Sequence, residues 1–245
     1  MGAVFYAVGV GPGNPDLLTL RALQVIEEVG VIFAPGTQKD GGARAESLAL
    51  RIAGQKADLS AKELHVVRFP MGAGAQRNAR AYDALEESVS AFLRGGQSVA
   101  FLCLGDITVY ATAFVIEQRL RSAGFATRIV PGVTSFCAGA AELHRGVAQH
   151  DECAVIIPGD AAYKNGTLGA LLELPGKKII MKSSRSIAAI IAELQRRGLA
   201  DKSAVAVNVG MGSGQLLFDS VSDAVRLAPH ILDGKNYFSI IYVDG

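Results

Sequence analysis

The stretch FYAVGVGPGN, residues 5–14, runs from aromatic and β-branched residues straight into glycines and a proline. Such a run predicts a buried strand that ends in a tight turn, and the turn raises the question of what it holds. A glycine-rich turn after a first strand cradles a dinucleotide pyrophosphate when its glycines recur as G-x-G-x-x-G. Here Gly9 and Gly11 supply the first spacing, but Asn14 stands at the third position. Pro12 and Pro15 also remove N–H donors that a phosphate nest needs. The nucleotide signal is therefore weak, and a tight strand-to-helix connection with no ligand accounts for the stretch equally well.

Outward from it, short apolar runs alternate with helical patterns. A helix is predicted to open near Pro15 and Asp16, with Leu17, Leu18, Leu20, Leu23, Val25 and Ile26 on its apolar face. VIFAP (31–35) reads as a strand, ARAESLALRIA (43–53) as a helix and HVVRFP (65–70) as a third strand. The longest helical pattern covers 76–96 and closes on a glycine pair. SVAFLCLGD (98–106) is a wholly apolar strand, followed by a helix over 108–124 and a strand in ATRIVPG (126–132). This alternation implies right-handed crossovers and a mostly parallel sheet covered on both faces.

The pattern lapses over HRGVAQHDE (144–152), which reads as a linker. Strands resume at 153–159, 177–182, 204–210, 215–220 and 237–243, with helices near 167–173, 186–197 and 220–228. Because the runs at 204–210 and 215–220 are adjacent, a hairpin and hence a mixed sheet is expected there. The fold class is α/β with two α/β domains, a mostly parallel N-terminal one over 1–143 and a mixed-sheet C-terminal one over 153–245.

Composition narrows the function. Half of the 245 residues are hydrophobic and the mean hydropathy is +0.29, yet no apolar stretch reaches the roughly 18 uninterrupted residues of a membrane span. The first charged residue is Asp16, so the N-terminus lacks the basic region of a secretory signal and a cytoplasmic protein is expected. A net charge of +1, with basic residues dispersed, leaves no footprint of a nucleic-acid-binding surface. Cys103, Cys137 and Cys153 match no zinc spacing, and their odd number argues against a disulfide framework. They read as buried small hydrophobes. His65, His144, His150 and His230 show no metal-binding spacing either.

In open α/β sheets ligands lie beyond the carboxyl ends of the strands. Four such ends carry unusual residues: GVGPG (9–13), LGDITVY (104–110), PGVTSF (131–136) and NVGMGSG (208–214). Asp106 either accepts hydrogen bonds from a ligand or caps a helix beginning near Thr108. Thr134 and Ser135 suit a helix cap, and Cys137-Ala138-Gly139-Ala140-Ala141 makes the helix behind them slim, for a ligand or for tight packing between layers.

Together, GVGPGNPDLLTLRAL, LGDITVYAT and VPGVTSFCAGAA resemble, in order and spacing, the tetrapyrrole methylase family of S-adenosylmethionine-dependent methyltransferases. With KNYFSIIYV the chain is most similar to the subgroup that methylates C20 of precorrin-2, or of its cobalt-loaded counterpart, in cobalamin biosynthesis. The family's Gly-Asp-Pro is Gly105-Asp106-Ile107 here, which leaves the loop's shape open. The resemblance implies a cofactor cleft between the domains. Carried over residue by residue, its contacts fall on Pro12, Leu104, Gly105, Asp106, Val109, Thr134 and Ser135, and on Met181, Val209, Gly210 and Phe238 of the second domain.

The implied chemistry is an in-line displacement at a sulfonium methyl, served mainly by holding the reacting atoms about 3–3.5 Å apart. No residue stands out as the base for the proton lost afterwards. The substrate carries many carboxylates, for which Lys39, Arg44, Arg77 and Arg80 are candidate partners or solvated surface residues. No protein-bound metal is implied, since any cobalt arrives inside the macrocycle; a homodimer is. Three rivals stay open: a nicotinamide oxidoreductase, for which Glu27 and Glu28 come too early; another methyltransferase of this fold, acting at a different corrin position or on RNA or protein; and a non-catalytic binding protein.

Overall fold

The computed structural model describes residues 2–36, 46–69, 75–234 and 238–244, with the backbone alone at 75–78. Two compact units divide after Thr134.

The first unit holds a five-stranded sheet of β1 (Val4–Gly9), β2 (Val31–Pro35), β3 (Glu63–Val67), β4 (Val99–Cys103) and β5 (Ala126–Val130), in the order β3-β2-β4-β1-β5. Every pairing is parallel. Its helices are α1 (Leu20–Glu28), α2 (Leu48–Ala53), α3 (Ala75–Arg94) and α4 (Thr112–Ser122). All five residues of β4 are buried, as the uninterrupted run VAFLC requires of a strand covered on both faces.

Alternation along the strands sorts the two faces. Val8, Ala100 and Leu102 pack with Ala22, Val25 and Ile26 of α1 and Ile52 of α2. Ala7, Val99 and Phe101 turn the other way, onto Leu85 and Val89 of α3 and Ile116 and Leu120 of α4. The connection leaving β1 therefore crosses one face toward β2, and that leaving β4 crosses the opposite face toward β5. Since β1 and β4 are neighbours paired from Phe5 with Val99 to Gly9 with Cys103, the topological switch point lies between their carboxyl ends.

The second unit contains α5 (Ser135–Glu142), β6 (Ala154–Pro158), α6 (Gly159–Lys164), α7 (Leu168–Leu172), β7 (Lys177–Met181), α8 (Ile187–Arg196), β8 (Ser203–Val207), β9 (Leu216–Phe218), α9 (Val221–Leu227) and β10 (Ser239–Val243). The sheet order is β6-β7-β10-β8-β9. Only β6 and β7 pair in parallel, and β8 and β9 form the expected antiparallel pair. One face carries Ile180, Val205, Val207, Ile241 and Val243 against α7, α8 and α9.

The slim helix α5 covers the other face. A side chain on Gly139 would strike the Tyr242 hydroxyl and come within 3.2 Å of Val209 Cγ2. The hydroxyl donates to the Phe136 carbonyl at 2.8 Å, entirely within buried surroundings. Tight layer packing therefore explains Cys137–Ala141, and α5 groups with the second unit although a first domain through 143 was expected.

Three further expectations are corrected. Pro15 opens a three-residue 3-10 turn, Pro15–Leu17, and α1 starts only after Thr19, whose hydroxyl accepts from Ala22 N–H. Helix α6 had no counterpart in the sequence reading. Cys103 is buried, but Cys137 and Cys153 are exposed. Among the described residues no helix is long and apolar enough to cross a membrane.

Candidate functional site at the carboxyl ends of the first sheet

Three of the four singled-out segments leave the neighbouring strands β4, β1 and β5. Their backbones meet at glycines. A Cβ on Gly9 would lie 2.6 Å from Gly105 O and 2.8 Å from Gly132 N, closer than side chains approach backbone. Gly105, at φ +71°, turns the chain sharply after β4. Gly11 and Gly105 then form an antiparallel bridge, with N···O distances of 3.3 and 2.8 Å.

Asp106 joins the third loop. Its Oδ2 accepts from Gly132 N–H at 2.8 Å, while Oδ1 accepts from Thr108 N–H at 2.8 Å and from the Thr108 hydroxyl. Burial opposes ionisation of this carboxyl, but the Thr108 hydroxyl and the Gly132, Thr108 and Ile107 N–H groups outweigh it and hold the pKa below the usual value. Asp106 therefore fastens the loop after β4 to the loop after β5 as an anion. The helix-cap alternative fails, because α4 begins at Thr112 and its cap position, Ala111, offers no side-chain bond.

The junction also answers what the opening turn can hold. Val10 N–H donates to Cys103 O, Gly11 N–H to Gly105 O, and Asp16 N–H to the Asn14 side chain. With these donors spent and the prolines supplying none, the turn leaves few N–H groups for a pyrophosphate. Across residues 9–14, 104–111 and 131–135 the only charged side chain is Asp106. Such a lining disfavours a polyanion and suits a cationic or zwitterionic ligand.

Of the residues expected to contact a cofactor, the first unit gathers Leu104, Gly105, Asp106 and Val109 on one loop, with Pro12 buried in the turn that bridges to it. Thr134 ends the first unit, and Ser135 opens α5 in the second. The other four share one end of the second sheet: Met181 closes β7, Val209 and Gly210 follow β8, and Phe238 precedes β10, which runs antiparallel between those strands. Gly210 N–H donates to Gln215 Oε1 at 2.6 Å, and Phe238 O accepts from Asn208 N–H at 2.9 Å.

Lys39 and Arg44 lie outside the described residues, as does the side chain of Arg77; Arg80 is exposed on α3. Gly132 and Thr108, which donate to Asp106, were not among the residues the sequence pointed to. A glycine directly after a strand and a threonine two residues beyond an aspartate were the available signals. No cluster of three or more potential metal ligands occurs among the described residues.

Comparison with known proteins bears on this geometry. Residues 4–224 match the family model described as Tetrapyrrole (Corrin/Porphyrin) Methylases. The chain is 29% identical over 199 residues to the cobalt-precorrin-2 C(20)-methyltransferase of Salmonella typhimurium, covering 81% of each chain. It is 29% identical over 249 residues to the precorrin-2 C(20)-methyltransferase of a Sinorhizobium species, covering 97% of this chain and 94% of that one. The structure of a cobalt precorrin-4 methyltransferase superposes with a TM-score of 0.71 at 18% identity, covering 98% of this chain and 94% of that one, a likeness of fold. With the family model spanning both units, the chain belongs to the tetrapyrrole (corrin/porphyrin) methylases and is a methyltransferase.

Proposed function

We propose that the protein methylates C20 of precorrin-2, or of its cobalt-loaded counterpart, in cobalamin biosynthesis, with S-adenosylmethionine as donor. The observation that carries the reading is the three-loop junction whose spent N–H donors and single carboxylate suit a cation and not a polyphosphate. S-adenosylmethionine, when bound, supplies a methyl group on a sulfonium. The chain's own part is to hold and orient. Gly9, Gly11, Gly105 and Gly132 bring three backbones together without intervening side chains, and Asp106 locks them. Leu104 and Val109, both half-buried, add apolar contact. Pro12, Thr134, Ser135, Met181, Val209, Gly210 and Phe238 join this cofactor-binding set on family likeness.

The C20 position rests on the two relatives named for it. Net charge +1 without a basic run supports a small-molecule substrate over nucleic acid. The reading extends to a cytoplasmic homodimer with no membrane partner. Its test is anaerobic incubation with methyl-labelled S-adenosylmethionine and either precorrin-2 or cobalt-sirohydrochlorin. Label in one tetrapyrrole is the expected result. Binding of the donor without transfer to either would leave the fold standing and overturn the substrate.

A further inference from the structure

The loop leaving β8 holds three left-handed residues within a short span: Asn208 at φ +52°, Gly210 at +75° and Gly212 at +63°. Asparagine and glycine enter that region at little cost, and glycine enters others as readily, so these residues alone leave the loop many shapes. Two side chains select one. The Asn208 amide donates to Gly214 O at 3.1 Å, and Gln215 Oε1 accepts from Gly210 N–H at 2.6 Å. The other tip of Gln215, Nε2, donates at 3.2 Å to Oε2 of Glu142, the last residue of α5. A backbone N–H only donates and a carboxylate only accepts, so a side-chain amide is the group that serves both at once.

The bond to Gly210 orients a whole peptide unit. Across a trans peptide the N–H and the preceding carbonyl lie in one plane and point opposite ways. Holding Gly210 N–H on Gln215 therefore turns the Val209 carbonyl away from it. Val209 is 3% exposed, and its carbonyl accepts no hydrogen bond among the described residues. A buried carbonyl left without a partner is an acceptor suited to a ligand N–H. It stands at the end of the second sheet that also carries Met181 and Phe238.

We propose that Gln215 is a positioning residue for the methyl donor: braced on Glu142, it fixes the Val209–Gly210 peptide in the orientation that S-adenosylmethionine binds. The role rests on the function proposed above. It acts on donor affinity and not on the transfer step, because Gln215 works through the peptide it holds.

The experiment measures Kd for S-adenosylmethionine by calorimetry, KM for donor and tetrapyrrole, kcat and Tm in wild type, Gln215→Ala, Gln215→Glu and the double variant Gln215→Glu with Glu142→Gln. Gln215→Ala should raise donor Kd and KM about fivefold, the worth of one neutral hydrogen bond. Its kcat at saturating donor and its tetrapyrrole KM should stay within twofold, with Tm close to wild type. Gln215→Glu keeps the acceptor for Gly210 but sets two carboxylates against each other, so donor Kd should rise again. Adding Glu142→Gln restores a donor and acceptor pair with the roles exchanged and should return donor Kd to within twofold of wild type. Wild-type donor affinity in Gln215→Ala would overturn the proposal, as would a double variant no better than Gln215→Glu, or Tm, kcat and affinity falling together. Wild-type protein that binds the donor but methylates neither tetrapyrrole would overturn the substrate and leave this role standing; failure to bind the donor at all would overturn both.

Discussion

Replacing Gly9 by alanine tests the three-glycine junction directly. The new Cβ would sit 2.6 Å from Gly105 O, 2.8 Å from Gly132 N and 2.9 Å from Gly132 Cα, where ordinary contact starts at 3.4 Å. All three are backbone atoms, so no side chain can swing aside. Moving Gly105 O away strains the Gly11 N–H bond, already long at 3.3 Å. Moving Gly132 strains the 2.8 Å bond to Asp106. Losing one neutral and one charge-assisted hydrogen bond costs about 3 kcal/mol. For a chain of this size that lowers Tm by roughly 6–12 °C. Gly30→Ala is the control, because its Cβ would meet nothing within 4 Å. Differential scanning fluorimetry of both variants, with and without S-adenosylmethionine, gives the answer. Gly9→Ala should melt early and lose ligand-induced stabilisation, and Gly30→Ala should match wild type. A Gly9→Ala protein with wild-type Tm and donor affinity would refute the junction.

Two further outcomes follow from protonation and exposure. The folded-state pKa of Asp106 is depressed, so its stabilisation is present above the unfolded value of about 3.9 and is lost as pH falls through the folded value. The Tm gap between wild type and Asp106→Asn should therefore be full at neutral pH and shrink only in acid; a gap independent of pH would remove the anionic staple. Burial pushes the Cys103 thiol up to about 12, whereas Cys137 and Cys153 are exposed. Thiol titration of native protein should count two accessible groups, with the third reacting only on unfolding.

The sheet architecture was legible because its signals are local. VIFAP matched β2 residue for residue, and the adjacent runs at 204–210 and 215–220 became the β8–β9 pair. What failed depends on distant partners. Asp106 looked like a helix cap because its two-residue step to Thr108 fits one, but its second oxygen is taken by Gly132, 26 residues away. The unit to which α5 belongs is set by Tyr242, 106 residues beyond Phe136. Helix α6 has six residues, fewer than the window over which a helical repeat can be recognised. The opening turn could be judged unsuited to phosphate from its prolines, yet that Val10 and Gly11 spend their N–H groups on β4 and its loop required the structure.

The most direct measurement is the NMR position of a labelled methyl group after anaerobic turnover with precorrin-2 or cobalt-sirohydrochlorin. A new methyl at C20 is the predicted result, and the preferred macrocycle fixes whether methylation precedes or follows cobalt insertion. A methyl at any other carbon would contradict the C20 assignment while leaving the family and its three-loop junction in place.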